Sequence, residues 1–185
     1  MTIRVGFLRA VNVGRRTVRM PALVAVCQAL GYGDPWTFVN SGNVVFDVTG
    51  SRADVERAME TALEDEVGFE CTTFVRSAAE VRAALAIEPF SMTSGDTYFI
   101  TFLKDAPSKQ IAAALEDASN DFDTLVVHGR DVHWHMRGKS TDTKLKAALW
   151  RQLGEHASTS RNVNMLTKLL AKIDVDQRPS SGGAQ

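Results

Sequence analysis

The residues of this sequence that are best placed to do chemistry surround a predicted turn. Two β-rich runs, residues 36–39 and 44–47, are joined by the segment Asn40-Ser41-Gly42-Asn43, which predicts a β-hairpin. With a two-residue loop, Val39 faces Val44. Asparagines flanking a turn offer more hydrogen-bonding groups than the turn requires. The segment therefore predicts either a turn closed by its own asparagines or a turn whose polar side chains hold a ligand, and the residues alone leave both open.

Two further segments combine arginine with amide side chains. Arg9 and Asn12 follow the first predicted strand, while Arg161 and Asn162 open the last predicted helix, with Lys168 more than a turn further along. Arginines and free backbone N–H groups at such places can hold an anion. Arginine would neutralise phosphate, and asparagine would read base edges. Neither segment has the G-x-G-x-x-G or P-loop pattern, so solvated surface loops are the alternative.

A third candidate site is a second predicted hairpin, whose turn is Gly129-Arg130. One face of it carries His128, Asp131, His133 and His135, and these residue types bind transition metals. However, His133 and His135 are two apart on a strand, about 7 Å between their α-carbons. We expect a polar or partly covered sheet face here and assign no metal site. The sequence leaves the cofactor and any catalytic residue unknown.

Composition restricts the class of protein. The chain has 185 residues, 44% of them hydrophobic, and a net charge of −1 at pH 7, which is enough apolar content for a packed core. Near-zero charge argues against a strong nucleic-acid binder, although basic residues gather towards both ends of the chain. The sequence has no run of apolar residues long enough for a membrane span and no leader-like start. Cys27 and Cys71 lack metal or redox spacing, so a soluble cytoplasmic protein with both thiols buried is expected.

Hydrophobic periodicity and turn residues predict one order of elements twice, β-α-β-β-α-β-α. The clearest similarity between the two halves is that Val81 follows Arg76 at the same spacing as Leu166 follows Arg161. This similarity favours an internal duplication. The predicted strands and helices occupy residues 3–9, 21–31, 36–39, 44–47, 53–67, 71–76, 78–86, 97–103, 108–118, 124–128, 131–136, 143–153, 157–160 and 162–173.

This order predicts an α+β fold of duplicated ferredoxin-like β-α-β-β-α-β units, each followed by an extra helix. The first half covers residues 1–90, the second half residues 91–175, and a disordered tail residues 176–185. In such a unit the loop after the first strand lies at the same end of the sheet as the hairpin turn. Arg9 and Asn12 are therefore expected near Asn40 and Asn43. Arg161 would reach this cluster only across the interface between the halves.

Three segments carry a resemblance to a known family. Residues 7–14 read FLRAVNVG, residues 40–46 read NSGNVVF, and residues 159–169 begin TSRN and end KL. They resemble the L-L-R-G-I-N-V-G, N-S-G-N-V-[VI]-F and T-x-R-N-W-x-T-x-x-K-L motifs of the bacterial domain of unknown function 1697 family. Ala10, Val163 and Met165 stand where that family usually has glycine, an aromatic residue and threonine. The resemblance spans nearly the whole folded chain and implies no activity.

These observations lead us to expect an uncharacterised cytoplasmic protein that binds an anionic ligand, a nucleotide or nucleic acid, through basic, Asn-rich loops. A protein-interaction module that uses an exposed sheet face or edge is the alternative, and a metal-dependent enzyme on the histidine face is a further one. No membrane partner is expected, and the sequence leaves oligomeric state and enzymatic activity open. The expected ligand-binding residues are Arg9, Asn12, Asn40, Ser41, Asn43, Arg161, Asn162 and Lys168.

Overall fold

The computed structural model of the protein describes residues 1–9, 11, 17–154 and 158–176. Its strands are β1 Thr2–Leu8, β2 Gly33–Thr37, β3 Asn43–Val48, β4 Thr73–Ser77, β5 Thr97–Leu103, β6 Asp123–His128, β7 Asp131–Met136 and β8 Ser158–Asn162. Its α-helices are α1 Met20–Ala29, α2 Arg52–Val67, α3 Ala78–Leu85, α4 Lys109–Asp117, α5 Ala147–Arg151 and α6 Val163–Asp176.

In the described residues the strands form two four-stranded sheets, with the orders β2-β3-β1-β4 and β6-β7-β5-β8. Every pairing within both sheets is antiparallel. The protein is therefore an α+β protein in which each sheet arises from one half of the chain. No helix in the described part of the chain is long and apolar enough to cross a membrane.

Serine side chains begin three of the helices. The hydroxyl oxygens of Ser51, Ser77 and Ser108 accept hydrogen bonds from backbone N–H groups in the first turns of α2, α3 and α4, which satisfies donors that the helix itself leaves unpaired. Glu80 also accepts from the Ser77 N–H and completes a capping box. Because α3 thus begins directly after β4, Arg76 is held next to the end of that strand.

Each sheet has an outer face that helices cover. Leu23 and Met59 of α1 and α2 belong to the core on the first sheet, and Leu115 of α4 with Trp150 of α5 belongs to the core on the second. The spacing of such apolar residues along each helix produces the stripe that faces the sheet. The outer cores account for one face of each sheet only.

The inner faces of the two sheets pack against each other. Phe7 of β1 and Phe102 of β5 stack with ring centroids 4.6 Å apart and planes 6° apart, and neither side chain is exposed. Val81 of α3 and Leu169 of α6 belong to the same inner core, and these two helices contact each other. Both halves thus bury apolar surface in one shared core, which is why their strands are apolar on both faces.

The second hairpin has the predicted register. His128 pairs with Asp131 and Val127 with Val132, which leaves Gly129 and Arg130 as a two-residue turn. Gly129 has a φ of 59°, the left-handed conformation that such a turn requires.

The first hairpin is longer than predicted. Thr37, not Val39, pairs with Val44, so the turn takes every residue between Thr37 and Asn43. The Asn43 side-chain amide donates to the Phe38 carbonyl at 3.0 Å, and Val39 adopts a φ of 50°. This side-chain bond closes a wider loop than a two-residue turn, and the sequence pattern carried no sign of it.

The predicted helix over residues 143–153 is also wrong in length, since α5 spans only Ala147–Arg151. The Thr143 hydroxyl and the Lys144 N–H both donate to the buried Asp123 carboxylate, each at 2.8 Å, and these bonds hold the segment out of a helix. The last helix runs past Ile173 to Asp176. Ala157 and the predicted tail beyond Asp176 lie outside the described residues.

We predict that Gly42→Ala destabilises the protein more than Gly129→Ala. Both glycines have positive φ, 69° and 59°, so each alanine costs about 1–2 kcal/mol for its left-handed backbone. A Cβ at Gly42 would lie 2.4 Å from a methyl group of Val11, whereas a Cβ at Gly129 meets nothing within 4 Å. This overpacking adds about 1–3 kcal/mol. Urea unfolding measures both values, and equal losses would contradict tight packing of the first hairpin turn on the end of β1.

Candidate functional site

Arg161, on β8, crosses from the second sheet to the first. Its side chain is buried, with Nε donating to Asn43 Oδ1 at 2.6 Å and Nη2 donating to the Leu8 and Ser41 carbonyls at 2.8 and 3.2 Å. Its Nη1 donates to Thr159 Oγ1 at 2.7 Å. The structure thus brings Arg161 to Ser41 and Asn43 across the interface between the halves, the one route that the topology allowed.

The turn between β2 and β3 is built around Asn43, which is fully buried. Its amide nitrogen donates to the Phe38 carbonyl and, at 2.7 Å, to Ser41 Oγ, while its amide oxygen accepts from Arg161. The N–H of Leu8 donates to the Gly42 carbonyl at 2.8 Å, so the end of β1 is joined to the turn. Asn43 therefore closes the turn and also binds the buried arginine.

Strain accompanies this turn. Val39 has a φ of 50°, a conformation that a β-branched residue rarely adopts, and its side chain is 52% exposed. Strained residues of this kind gather at ligand sites and switch regions.

Arg9 and Asn40 lie at the same end of the first sheet. Arg9 directly follows β1, is half-buried, and its N–H donates to the Thr72 carbonyl at 2.8 Å. Asn40 lies exposed in the turn next to Ser41. Asn12 lies outside the described residues.

Asn162 and Lys168 occupy the last strand and the helix that follows it. Asn162 Oδ1 accepts from the Asn164 N–H at 2.9 Å, so its amide caps the start of α6. Met165 Sδ lies 3.8 Å from the side-chain nitrogen of Asn43. Lys168 is exposed three residues further along, on the same side of the helix. The first turns of α6 thus lie beside the hairpin turn, with Lys168 at the surface.

Arg76, on β4, makes the equivalent crossing in the opposite direction, from the first sheet to the second. Its Nη2 donates to the Leu103 and Arg130 carbonyls at 2.8 and 3.1 Å and to Asp131 Oδ1 at 2.9 Å. Its Cζ lies 5.1 Å from the centre of the Phe102 ring, as that of Arg161 lies 5.4 Å from the centre of the Phe7 ring. Arg76 and Arg161 are called the crossing arginines below, because each binds the strand end and hairpin turn of the other half.

The crossing arginines differ in one partner. Arg76 pairs with the Asp131 carboxylate, whereas Arg161 has the neutral amide of Asn43 at the corresponding place, and no carboxylate pairs with it among the described residues. Burial lowers the pKa of Arg161 to about 10. Burial also lowers the pKa of Arg76 and raises that of Asp131, so loss of water outweighs the attraction within that pair. Arg161 is a buried positive charge held by neutral acceptors.

Sequence reasoning missed the role of Arg76. The apolar residues that follow Arg76 have the same spacing as those that follow Arg161, and this similarity could have indicated an equivalent role. Its Leu103 and Arg130 partners on the other half could not be found in the same way, because they bind through backbone carbonyl groups that any residue supplies.

The three histidines of the second hairpin do not form a cluster. His135 Nε2 lies 2.9 Å from Asp96 Oδ2, and His133 Nδ1 lies 2.5 Å from the Tyr98 hydroxyl, while His128 is exposed. In the part of the chain that the structure describes, no group of three or more His, Cys, Asp or Glu residues could hold a metal ion.

Burial sets the protonation of the Tyr98–His133 pair. It raises the pKa of Tyr98 to about 12, with a smaller contribution from Glu88, and lowers that of His133 to about 4, with a smaller contribution from His128. The tyrosine hydroxyl therefore donates to a neutral imidazole, whose proton lies on Nε2. His133 Nε2 is buried without a hydrogen-bond partner in the described structure.

This arrangement is that of an α+β protein whose two antiparallel sheets pack face to face and are joined by buried arginines. Residues 1–133 match the model of a family described as a protein of unknown function, DUF1697, and the chain belongs to this family.

The fold is similar to that of a solved structure. The solved structure is that of the conserved bacterial protein SP0830 from Streptococcus pneumoniae, with a TM-score of 0.71 at 20% sequence identity, covering 94% of this chain and 99% of that chain. At this identity the likeness shows the shared fold. No curated protein matches the chain.

We predict that Arg76→Met costs more stability than Arg161→Met. The first change leaves the Asp131 carboxylate, 15% exposed, without its cation, which costs about 3–5 kcal/mol. The second leaves only neutral acceptors, at about 1–3 kcal/mol. Chemical denaturation gives both values, and adding Asp131→Asn to Arg76→Met should recover part of the loss. An equal or reversed order would contradict the assignment of charge at these two crossings.

We also predict a pH dependence from His133. Its folded-state pKa of about 4 lies below the unfolded value of about 6.5. Between these values the unfolded chain therefore binds a proton that the native state does not. The free energy of unfolding should fall by up to about 3 kcal/mol as the pH falls through this range. His133→Asn should remove this dependence, and His128→Asn, at an exposed site, should preserve it. Identical pH profiles for wild type and His133→Asn would contradict the prediction.

Proposed function

We propose that the protein binds an anionic ligand, a nucleotide or nucleic acid, where the end of β1, the β2–β3 turn and the first turns of α6 meet. We call this surface the anion face. The observation that carries the proposal is the buried charge of Arg161, which lacks the carboxylate that Arg76 has in Asp131. The residues of the anion face are Arg9, Asn40, Ser41, Asn43, Arg161, Asn162 and Lys168, with Asn12 added from the sequence.

A buried cation without a counter-charge favours an anion nearby. Removing Arg161 from water costs free energy, and the interior screens its field far less than water does. An anion that binds at the adjoining surface recovers part of this cost. The Nε, Nη1 and Nη2 groups of Arg161 already donate to neutral acceptors. In this proposal Arg161 therefore attracts the ligand and holds the turn, while the exposed Lys168 and Ser41 contact the phosphate.

The strain at Val39 supports the same location. Its positive φ and 52% exposure fall in the turn that Arg161 binds, and strain at a turn is maintained where the surrounding structure requires that shape. Asn43, which links the strained turn to the arginine, would transmit ligand contacts at the turn to the interface between the halves.

We also propose that the chain is a duplicated ferredoxin-like fold, with halves at residues 1–90 and 91–175. The matching strand orders β2-β3-β1-β4 and β6-β7-β5-β8 support it, as do the equivalent crossings of Arg76 and Arg161. A cytoplasmic location remains part of the proposal, since neither Cys27 nor Cys71, both buried, forms a disulfide bond, as suits a reducing compartment.

The alternative of a protein-interaction module has less support. It requires an exposed sheet face or edge, and the inner faces of both sheets pack together around Phe7 and Phe102. Such a module would have to use an edge strand.

The test measures binding of a fluorescent nucleotide and of a short labelled single-stranded oligonucleotide by anisotropy, over a series of salt concentrations. Lys168→Ala should weaken oligonucleotide binding and reduce the slope of log affinity against log salt by about one. Lys139→Ala, at an exposed site in the second half, is the matched control and should change neither quantity. Preference for one of the two probes identifies the ligand class.

A reciprocal exchange tests the buried charge itself. Asn43→Asp gives Arg161 the carboxylate that Arg76 has, and should weaken anion binding about tenfold because the attracting charge is neutralised. Asp131→Asn changes the other crossing and should not weaken it. Melting temperatures establish that each variant is folded. No binding by wild type, or wild-type affinity in both Lys168→Ala and Asn43→Asp, would contradict the proposal.

A further inference from the structure

A second candidate site opens between the end of α3, the segment leading to β5 and the start of α6. It is a pocket of about 590 Å³, within the range of about 300–1,000 Å³ that small-molecule sites occupy. Its wall combines apolar and charged side chains, chiefly Phe90, Met92, Tyr98, Val163, Glu88 and Arg82. The pocket shares no residue with the anion face.

Two aromatic rings form a fixed corner of this pocket. Phe90 and Tyr98 meet edge to face, with centroids 5.3 Å apart and planes at 84°. Phe90 also stacks on His135 at 5.3 Å, and His135 is held by Asp96 at 2.9 Å. The Tyr98 hydroxyl is bound to His133. The corner is therefore built before any ligand arrives, which reduces the entropic cost of binding.

Glu88 gives the pocket a negative charge. It is exposed, and no cation lies within ion-pair distance of it among the described residues, while the other charged lining residue, Arg82, pairs with Asp174. Glu88 lies close enough to Tyr98 to raise the pKa of that phenol. Its backbone has a φ of 40° directly before Pro89, a combination that is sterically unfavourable.

The equivalent segment of the second half shows the effect of this backbone conformation on the fold. Glu88 and Ile173 each lie twelve residues after a crossing arginine, Arg76 and Arg161. Ile173 continues α6 and is buried in the inner core. In the first half the helix ends at Leu85, and the chain turns at Glu88 instead of covering the sheet. The pocket is the space that a longer helix would fill.

We propose that this pocket binds an organic cation with an apolar body, such as an arylalkylamine. The ammonium group lies between the Glu88 carboxylate and the Phe90–Tyr98 corner, where ring faces attract cations. The apolar body of the ligand packs against Met92 and Val163. Arg82 does not oppose the ligand, because Asp174 neutralises it.

The experiment compares three probes that share one body and differ in charge at neutral pH: phenylbutylamine, phenylbutanol and phenylbutyrate. Calorimetric titration of the full chain should show saturable binding of the amine, roughly five- to tenfold tighter than that of the alcohol, with the carboxylate weakest. Equal affinity for amine and alcohol, or no saturable binding of the amine, would overturn the proposal.

Substitutions of Glu88 test whether the amine binds in this pocket. Glu88→Gln removes the charge and should reduce amine affinity towards that of the alcohol. Glu64→Gln, at an exposed position of α2, is the matched control and should leave it unchanged. Glu88→Gly suits a φ of 40° and should weaken amine binding without lowering the melting temperature. Amine affinity that survives both Glu88 variants would overturn the proposal. Asn43→Asp should not affect the amine, which separates this site from the anion face.

Discussion

The crossing arginines are the interaction on which the structure depends. Each carries a guanidinium group from the last strand of one half to the strand end and hairpin turn of the other, over the rings of the Phe7–Phe102 stack. A planar group with five donors in fixed directions can satisfy several buried carbonyl oxygens at once, which lysine cannot do. Without these bonds, the carbonyls at the centre of the interface would lose both water and partners. The shared core therefore requires arginine at both positions, whatever else the halves do.

That requirement has different electrostatic consequences in the two halves. At Arg76 the carboxylate of Asp131 balances the positive charge of the guanidinium group. At Arg161 an amide replaces the carboxylate, and the field of the buried charge extends to the adjoining surface. The second half has a carboxylate, Asp131, at the position that corresponds to Asn43, so the neutral amide is a difference between the halves and not a requirement of the crossing. In the proposed anion face, this asymmetry supplies positive potential at that end of the first sheet.

The sequence predicted most of the fold because the information was local. The periodic apolar faces of α2 and α4 predicted these helices. The alternation of residues on either side of Gly129-Arg130 predicted the register of the second hairpin. Prediction failed where polar side chains made hydrogen bonds that the periodic pattern does not reveal: Asn43 widened the first turn, and Asp123 held Thr143 and Lys144 out of a helix. For the candidate site, topology predicted that Arg9 lies near the turn and that Arg161 reaches it only across the interface. The absence of a carboxylate beside Arg161 could not be predicted, because it becomes visible only when the folded surroundings of Arg161 and Arg76 are compared.

The same comparison explains why the two proposed sites have opposite charge preferences. The two halves place equivalent residues around their crossing arginines, and each half needs its arginine for the interface, so the differences between the halves lie in the partners around it. One change is the amide at Asn43, which leaves positive charge uncompensated. The other is the early end of α3, which exposes Glu88 and the Phe90–Tyr98 corner where Ile173 fills the space in the other half. Because each difference leaves the crossing arginines intact, both surfaces can differ between the halves without loss of the shared core.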